Sequence, residues 1–111
     1  MNGLRDYRLY IEDIEESILK IMSYTEDYDE KKFAEDSRTF ESVILNLFII
    51  GEAANKIPES IQCKYPDIDW RAIIGMRNII AHGYFKIKSD IIWKTIQDDL
   101  PVLLDLVKKI R

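Results

Sequence analysis

The chain has 111 residues, 47 % of them hydrophobic, with four glycines and three prolines. That length predicts a single domain over residues 1–111 with a core large enough to stand without disulfides or a structural metal, and the composition excludes a disordered chain and disfavours a turn-rich β fold. A net charge of −4 excludes broad electrostatic coating of nucleic acid, which needs an excess of Lys and Arg, while leaving room for a small basic cleft.

The first residues, Met1 to Asp6, carry acid and no apolar run, so they do not read as a secretory signal. Leu4, Tyr7, Ile11, Ile14, Ile18 and Ile21 then recur at steps of three and four. This is one apolar stripe, and it predicts a helix to about Tyr24. The spacing also matches a heptad seam, suited to packing along a long partner helix. Tyr24 to Asp29 is acidic and without period, which predicts a solvated loop. Glu30 to Asp36 holds one or two helical turns around Phe33.

A second long helix is expected from about Ser37 to Ile57. Phe40, Val43, Ile44, Leu47, Phe48 and Ile50 are too dense for a surface helix, so this element should be the central one. Its apolar run, Val43 to Ile50, is interrupted by Asn46 and is too short to span a bilayer. Gly51 within it predicts a close approach of another helix. Glu52 and Lys56 stand four apart and read first as a surface pair, with a place for Glu52 near the active cleft as the lesser reading. The helix should stop before Pro58, since proline disfavours helix in the residue ahead of it.

Pro58 to Tyr65 predicts a short helix, with Pro58 near its first turn. Cys63 is the lone cysteine, so no internal disulfide and no cysteine zinc site can form, which fits a reducing compartment. Asp69 is expected to cap a helix from Trp70 to about His82, and Gly83 to end it in a left-handed conformation. Ser89 is the expected cap of a last helix, Asp90 to about Ile110. Pro101 lies inside that stretch and predicts a kink or break. Trp70 and Trp93 read as core or dimer anchors rather than base-stacking platforms. The sum is an all-α, four-helix up-down bundle with one or two short extra helices. It is expected to be soluble and cytoplasmic, without membrane association.

The segment Gly75-Met76-Arg77-Asn78-Ile79-Ile80-Ala81-His82-Gly83-Tyr84-Phe85 is the one that could carry chemistry. It holds the only histidine, the side chain best suited to proton transfer near neutral pH. Arg77 offers a cationic fork for phosphate oxygens. Asn78 lies one turn before His82, so it could orient the imidazole or contact substrate. Arg77 and His82 are five residues apart, which is roughly 140° of rotation on an ideal helix. Their convergence needs a distortion near Gly83 or a second copy of the chain. Tyr84 can turn back because Gly83 frees the backbone. Taken singly, such a histidine is more often a cap or packing residue, Arg77 a surface charge, and Tyr84 a half-buried aromatic.

Arg-x4-His-x-Tyr, with Asn directly after the Arg, resembles the signature of HepT-like proteins in the HEPN superfamily. The likeness continues in Gly51-Glu52-Ala53-Ala54-Asn55-Lys56-Ile57, in Trp70 ahead of Gly75-Met76-Arg77-Asn78, and in Ile92-Trp93-Lys94-Thr95-Ile96 and Asp99-Leu100-Pro101. It covers roughly Leu4 to Leu106. The resemblance implies a HEPN-like helical homodimer and the toxin of a type VII-like toxin–antitoxin pair. It implies a metal-independent endoribonuclease in which Arg77 and His82 are catalytic. It further implies an MNT-type nucleotidyltransferase antitoxin as partner, with AMP transferred to Tyr84. No cofactor is implied, and the sequence offers no metal-ligand spacing. The alternative is a non-catalytic, nucleotide-binding helical dimer that partners a nucleotidyltransferase.

Overall fold

Ile11, Ile14, Ile18 and Ile21 are completely buried, and they set the inner face of the first helix, α1 (Tyr7–Tyr24). A computed structural model describes residues 6–110; Leu4, the expected start of this stripe, lies outside them. After α1 come α2 (Glu30–Glu35), α3 (Ser37–Lys56), α4 (Glu59–Gln62), α5 (Trp70–Gly83), α6 (Ser89–Lys94) and α7 (Leu100–Lys108). A 3₁₀ turn, Tyr84–Lys86, follows α5, and a π-helical segment, Thr95–Asp99, joins α6 to α7. No strand occurs among the described residues. The chain is the all-α bundle that its periodicity predicts.

α3 is the centre of the bundle, packed on α1 along one side and on α5 along another. It buries Val43, Ile44, Leu47, Ile50, Ala53 and Ala54. Asn46, the polar residue in that run, is also buried, and its Nδ2 donates to the Ser42 carbonyl at 2.9 Å. A buried amide left unpaired would be costly, so this bond makes the position tolerable. α7 closes the bundle against α1, and α2 bridges α3 and α6. Phe33 anchors α2: it is fully buried, with ring centroids of Phe40 and Trp93 at 5.8 and 5.4 Å. Trp70 is buried too, its indole N–H donating to the Tyr65 carbonyl at 3.1 Å.

Four helices are capped by an aspartate side chain. Asp6, Asp29, Asp36 and Asp69 accept from the backbone N–H of Arg8, Lys32, Thr39 and Ala72 at 3.0, 2.8, 3.1 and 3.0 Å. Each carboxylate satisfies an otherwise orphaned donor and sits at the positive end of the helix dipole. Part of the acidic excess is therefore structural: Asp29, in the run expected to be only a solvated loop, caps α2. Asp36 does most. Its carboxylate also accepts from Tyr28 Oη at 2.5 Å and Thr39 Oγ1 at 2.8 Å. The Tyr28 hydroxyl, then the Thr39 backbone and hydroxyl, hold its pKa down to about 2.

One expectation about the last arm changes and another holds. Ser89 is not a cap but the first helical residue of α6; Lys88 holds the cap position and makes no side-chain bond. Asp90 Oδ1 instead accepts from the Ile91 N–H at 2.9 Å. The break predicted by Pro101 does occur, taking the form of the π segment just before it. Pro101 has no N–H to return to the Gln97 carbonyl, so ordinary winding cannot close there. Among the described residues no helix is long and apolar enough to cross a membrane.

Candidate functional site

α5 carries the whole Arg77–His82 stretch, and α3 decides where Arg77 goes. Gly51 is the point of contact. A Cβ on it would collide with Arg77 Cβ and lie 3.0 Å from Arg77 Cγ and 3.1 Å from the Ile73 carbonyl oxygen. Only glycine lets α3 and α5 come this close. Arg77 consequently lies across α3, its guanidinium carbon 5.4 Å from the centroid of the Phe48 ring. Arg77 Nε donates to Glu52 Oε1 at 2.5 Å. The expected Glu52–Lys56 surface pair gives way to this bond, because Glu52 faces α5 beside the Gly51 crossing.

Arg77 Nη1 donates to Asn78 Oδ1 at 3.0 Å. The guanidinium thus leans toward the outer side of α5, where Asn78 and His82 are both exposed and one helical turn apart. Arg77 is linked directly to Asn78, and Asn78 shares its face with His82. Arg77 and His82 are not brought together by any bend: α5 runs unbroken from Trp70 to Gly83. The distortion that would have swung the imidazole round to the guanidinium does not occur before Gly83.

Gly83 takes φ +148 and ψ 77. The sign of φ is as expected, but the values lie outside the ordinary left-handed helical region. The chain does not stop there. It passes into the 3₁₀ turn, which sets Tyr84 and Phe85 edge to face at 6.4 Å and 75°. Both rings are exposed, Phe85 at 75 %. Tyr84 is therefore accessible on the same end of α5 as His82.

A groove of about 360 Å³ lies elsewhere, between α3, α5 and α7. Its walls are apolar, with Leu47, Ile50 and Met76, and its rim carries Asp67, Asp98 and Asp99. Those carboxylates would repel a phosphate chain, and neither Arg77 nor His82 lines it. The candidate site is an exposed end of α5, not this groove.

A family model described as "Ribonuclease HepT-like" matches residues 14–110. The chain belongs to the HepT-like family. A Thermococcus cleftensis protein described as "Probable ribonuclease HepT" is 36 % identical over 107 residues, covering 96 % of this chain and 97 % of that one. A Methanocaldococcus jannaschii protein named as a candidate RNase is 35 % identical over 97 residues, 87 % of this chain and 89 % of that one. A bacterial one from Caldanaerobacter subterraneus, similarly named, is 31 % identical over 103 residues, 93 % and 92 % of the two chains. No solved structure matches. The matched span takes in all of α3, α5 and α7, so the parts of this HepT-like chain that place Arg77 lie inside the family's shared body. Glu52 and Phe48 were not legible as neighbours of Arg77 from spacing alone. The signal that could have found them is Gly51, which marks the crossing.

Proposed function

We propose that this HepT-like chain is a metal-independent endoribonuclease acting as a homodimer, the toxin of a type VII-like toxin–antitoxin pair. The observation that carries the reading is the row on α5: a part-exposed guanidinium bonded to Asn78, with the chain's single imidazole one turn beyond Asn78 on the same exposed face. The names of its relatives, which include ribonuclease HepT, support the same reaction class.

The chemistry needs no metal. The 2′-OH of one nucleotide attacks its adjacent phosphorus. The O2′–P bond forms and the P–O5′ bond breaks, leaving a 2′,3′-cyclic phosphate and a free 5′-OH. One proton leaves O2′ and one arrives at O5′. A single chain has one histidine for two transfers. Two chains facing each other through the outer side of α5 supply His82 twice, once as base and once as acid. Arg77 stabilises the extra charge on the transition-state phosphate, and Asn78 orients the substrate or the imidazole. The partner is an MNT-type nucleotidyltransferase. Tyr84 Oη attacks the α-phosphorus of ATP held by that enzyme, pyrophosphate leaves, and the tyrosine gains AMP. The added bulk and negative charge beside His82 repel RNA.

The test is incubation of purified protein with total RNA in EDTA, beside His82→Ala and Arg77→Ala. Cutting should persist in EDTA and fall about 100-fold or more in each variant, the usual weight of a general acid or base for His82 and of a charge-stabilising donor for Arg77. Well-folded protein that binds its nucleotidyltransferase yet never cuts RNA would favour the non-catalytic module instead.

A further inference from the structure

The geometry points to Glu52 as the positioning residue of Arg77: its carboxylate fixes the guanidinium from the α3 side so that the Nη2 edge is presented to a phosphate. This rests on the ribonuclease reading above and adds to it a residue outside the Arg-x4-His-x-Tyr stretch.

Arg77 is held on three sides. Glu52 Oε1 accepts from Nε at 2.5 Å, Asn78 Oδ1 accepts from Nη1 at 3.0 Å, and the Phe48 ring lies 5.4 Å from the guanidinium carbon. Phe48 and Glu52 are one turn apart on α3 and flank the Gly51 crossing, so one short stretch of α3 makes two of the three contacts. An unrestrained arginine on a helix loses much rotamer freedom when it grips an anion, and prior restraint lowers that loss. Of the five N–H donors of a guanidinium, those on Nη2 stay available, beside the second on Nη1.

The simpler alternative is that the pair only ties α3 to α5. Both side chains are about one-third exposed, at 29 % and 32 %, a setting in which ion pairs add little to stability. The helices are already joined at Gly51 by close contact. Moreover, a carboxylate beside the phosphate site weakens attraction for RNA. An acid there fits aiming better than gripping.

The two roles separate in kinetics. Glu52→Ala should lower kcat on the order of 10- to 100-fold, the scale set by small misplacements of a catalytic group. KM for RNA should stay level or fall, because a negative charge has gone. The melting temperature should stay within a few degrees. Glu52→Gln, whose Oε1 can still accept from Nε, should recover most of kcat. In an Arg77→Lys background, which has no Nε–H at that place, Glu52→Ala should change the remaining rate little. Independently of cutting, the Arg77 Nε–H proton signal in NMR should exchange slowly in the wild type and lose that protection in Glu52→Ala.

Wild-type protein that cuts RNA while Glu52→Ala cuts equally well overturns this inference alone. So does a loss of rate that follows the melting temperature, or one that is undiminished in the Arg77→Lys background. Wild-type protein that never cuts RNA overturns the ribonuclease reading, and the catalytic sense of the inference with it. An unprotected Nε–H in the wild type removes the contact itself.

Discussion

Replacing Gly51 with alanine adds one methyl group where α3 crosses α5. The same change at Gly75, on α5, enters open space with nothing within 4 Å. Helix propensity favours alanine by about 1 kcal/mol at either place. At Gly51 the new methyl would collide with Arg77 Cβ and crowd the Ile73 carbonyl oxygen at 3.1 Å. Cβ is the root of the arginine and a carbonyl is backbone, so neither can swing aside. Overpacking of this kind costs about 1–3 kcal/mol. The net for Gly51→Ala is a loss of up to about 2 kcal/mol, against a gain of about 1 kcal/mol for Gly75→Ala. For a domain of this size each kcal/mol moves the melting temperature by about 4–8 °C. Urea unfolding followed by far-UV circular dichroism measures both variants, provided the m-values agree. Equal midpoints, or a Gly51→Ala midpoint above that of Gly75→Ala, would refute the claim that α3 and α5 touch through this glycine.

Phe33→Ala should cost about 3–5 kcal/mol, because the ring is fully buried against Phe40 and Trp93; an unfolding midpoint close to wild type would show that α2 does not depend on it. Asp36 has a folded pKa of about 2, below the ordinary 3.8, so its charge favours the folded state above about pH 4, and that contribution disappears as the pH falls toward 2. Asp36→Asn keeps a capping oxygen, and the advantage of wild type over it should shrink across that window; an unchanged difference at pH 2 and pH 7 would contradict the assignment. Tyr84→Phe keeps the ring beside Phe85 and removes the phenolic oxygen. It should cut RNA within a few-fold of wild type yet gain no AMP in a mass spectrum after incubation with the nucleotidyltransferase and ATP.

Much of the fold was legible because its signals are local. The isoleucine stripe of α1, the dense apolar run of α3 and the Asp69 cap each depend on residues a turn or two apart. Ser89 misled for a local reason as well: serine is a good cap, but one residue of shift puts it inside the helix, where Lys88 precedes it. The site was legible in part. Asn78 and His82 stand one turn apart on α5, as their spacing requires, whereas their exposure and that of Tyr84 is a fact of the fold. Glu52 was misassigned because its real partner is 25 residues away, and helical spacing speaks only of neighbours three or four positions apart. Which faces of two helices meet is a tertiary fact, and only Gly51 hinted at it.

The widened winding at Thr95–Asp99 has a consequence for α7. Ile92, Ile96, Leu100 and Leu104 are all buried and follow one another at steps of four. On an ordinary helix each such step overshoots a full turn by about 40°, so three of them would carry Leu104 well round toward solvent. The π segment absorbs that drift and works as a phase correction, keeping a four-residue rhythm in register with one fixed partner surface. Removing a single residue from 95–99 would let the segment rewind as ordinary helix, with Ile92 and Leu104 eleven residues apart and only about 20° from three full turns, so the apolar side of α7 would still meet α1.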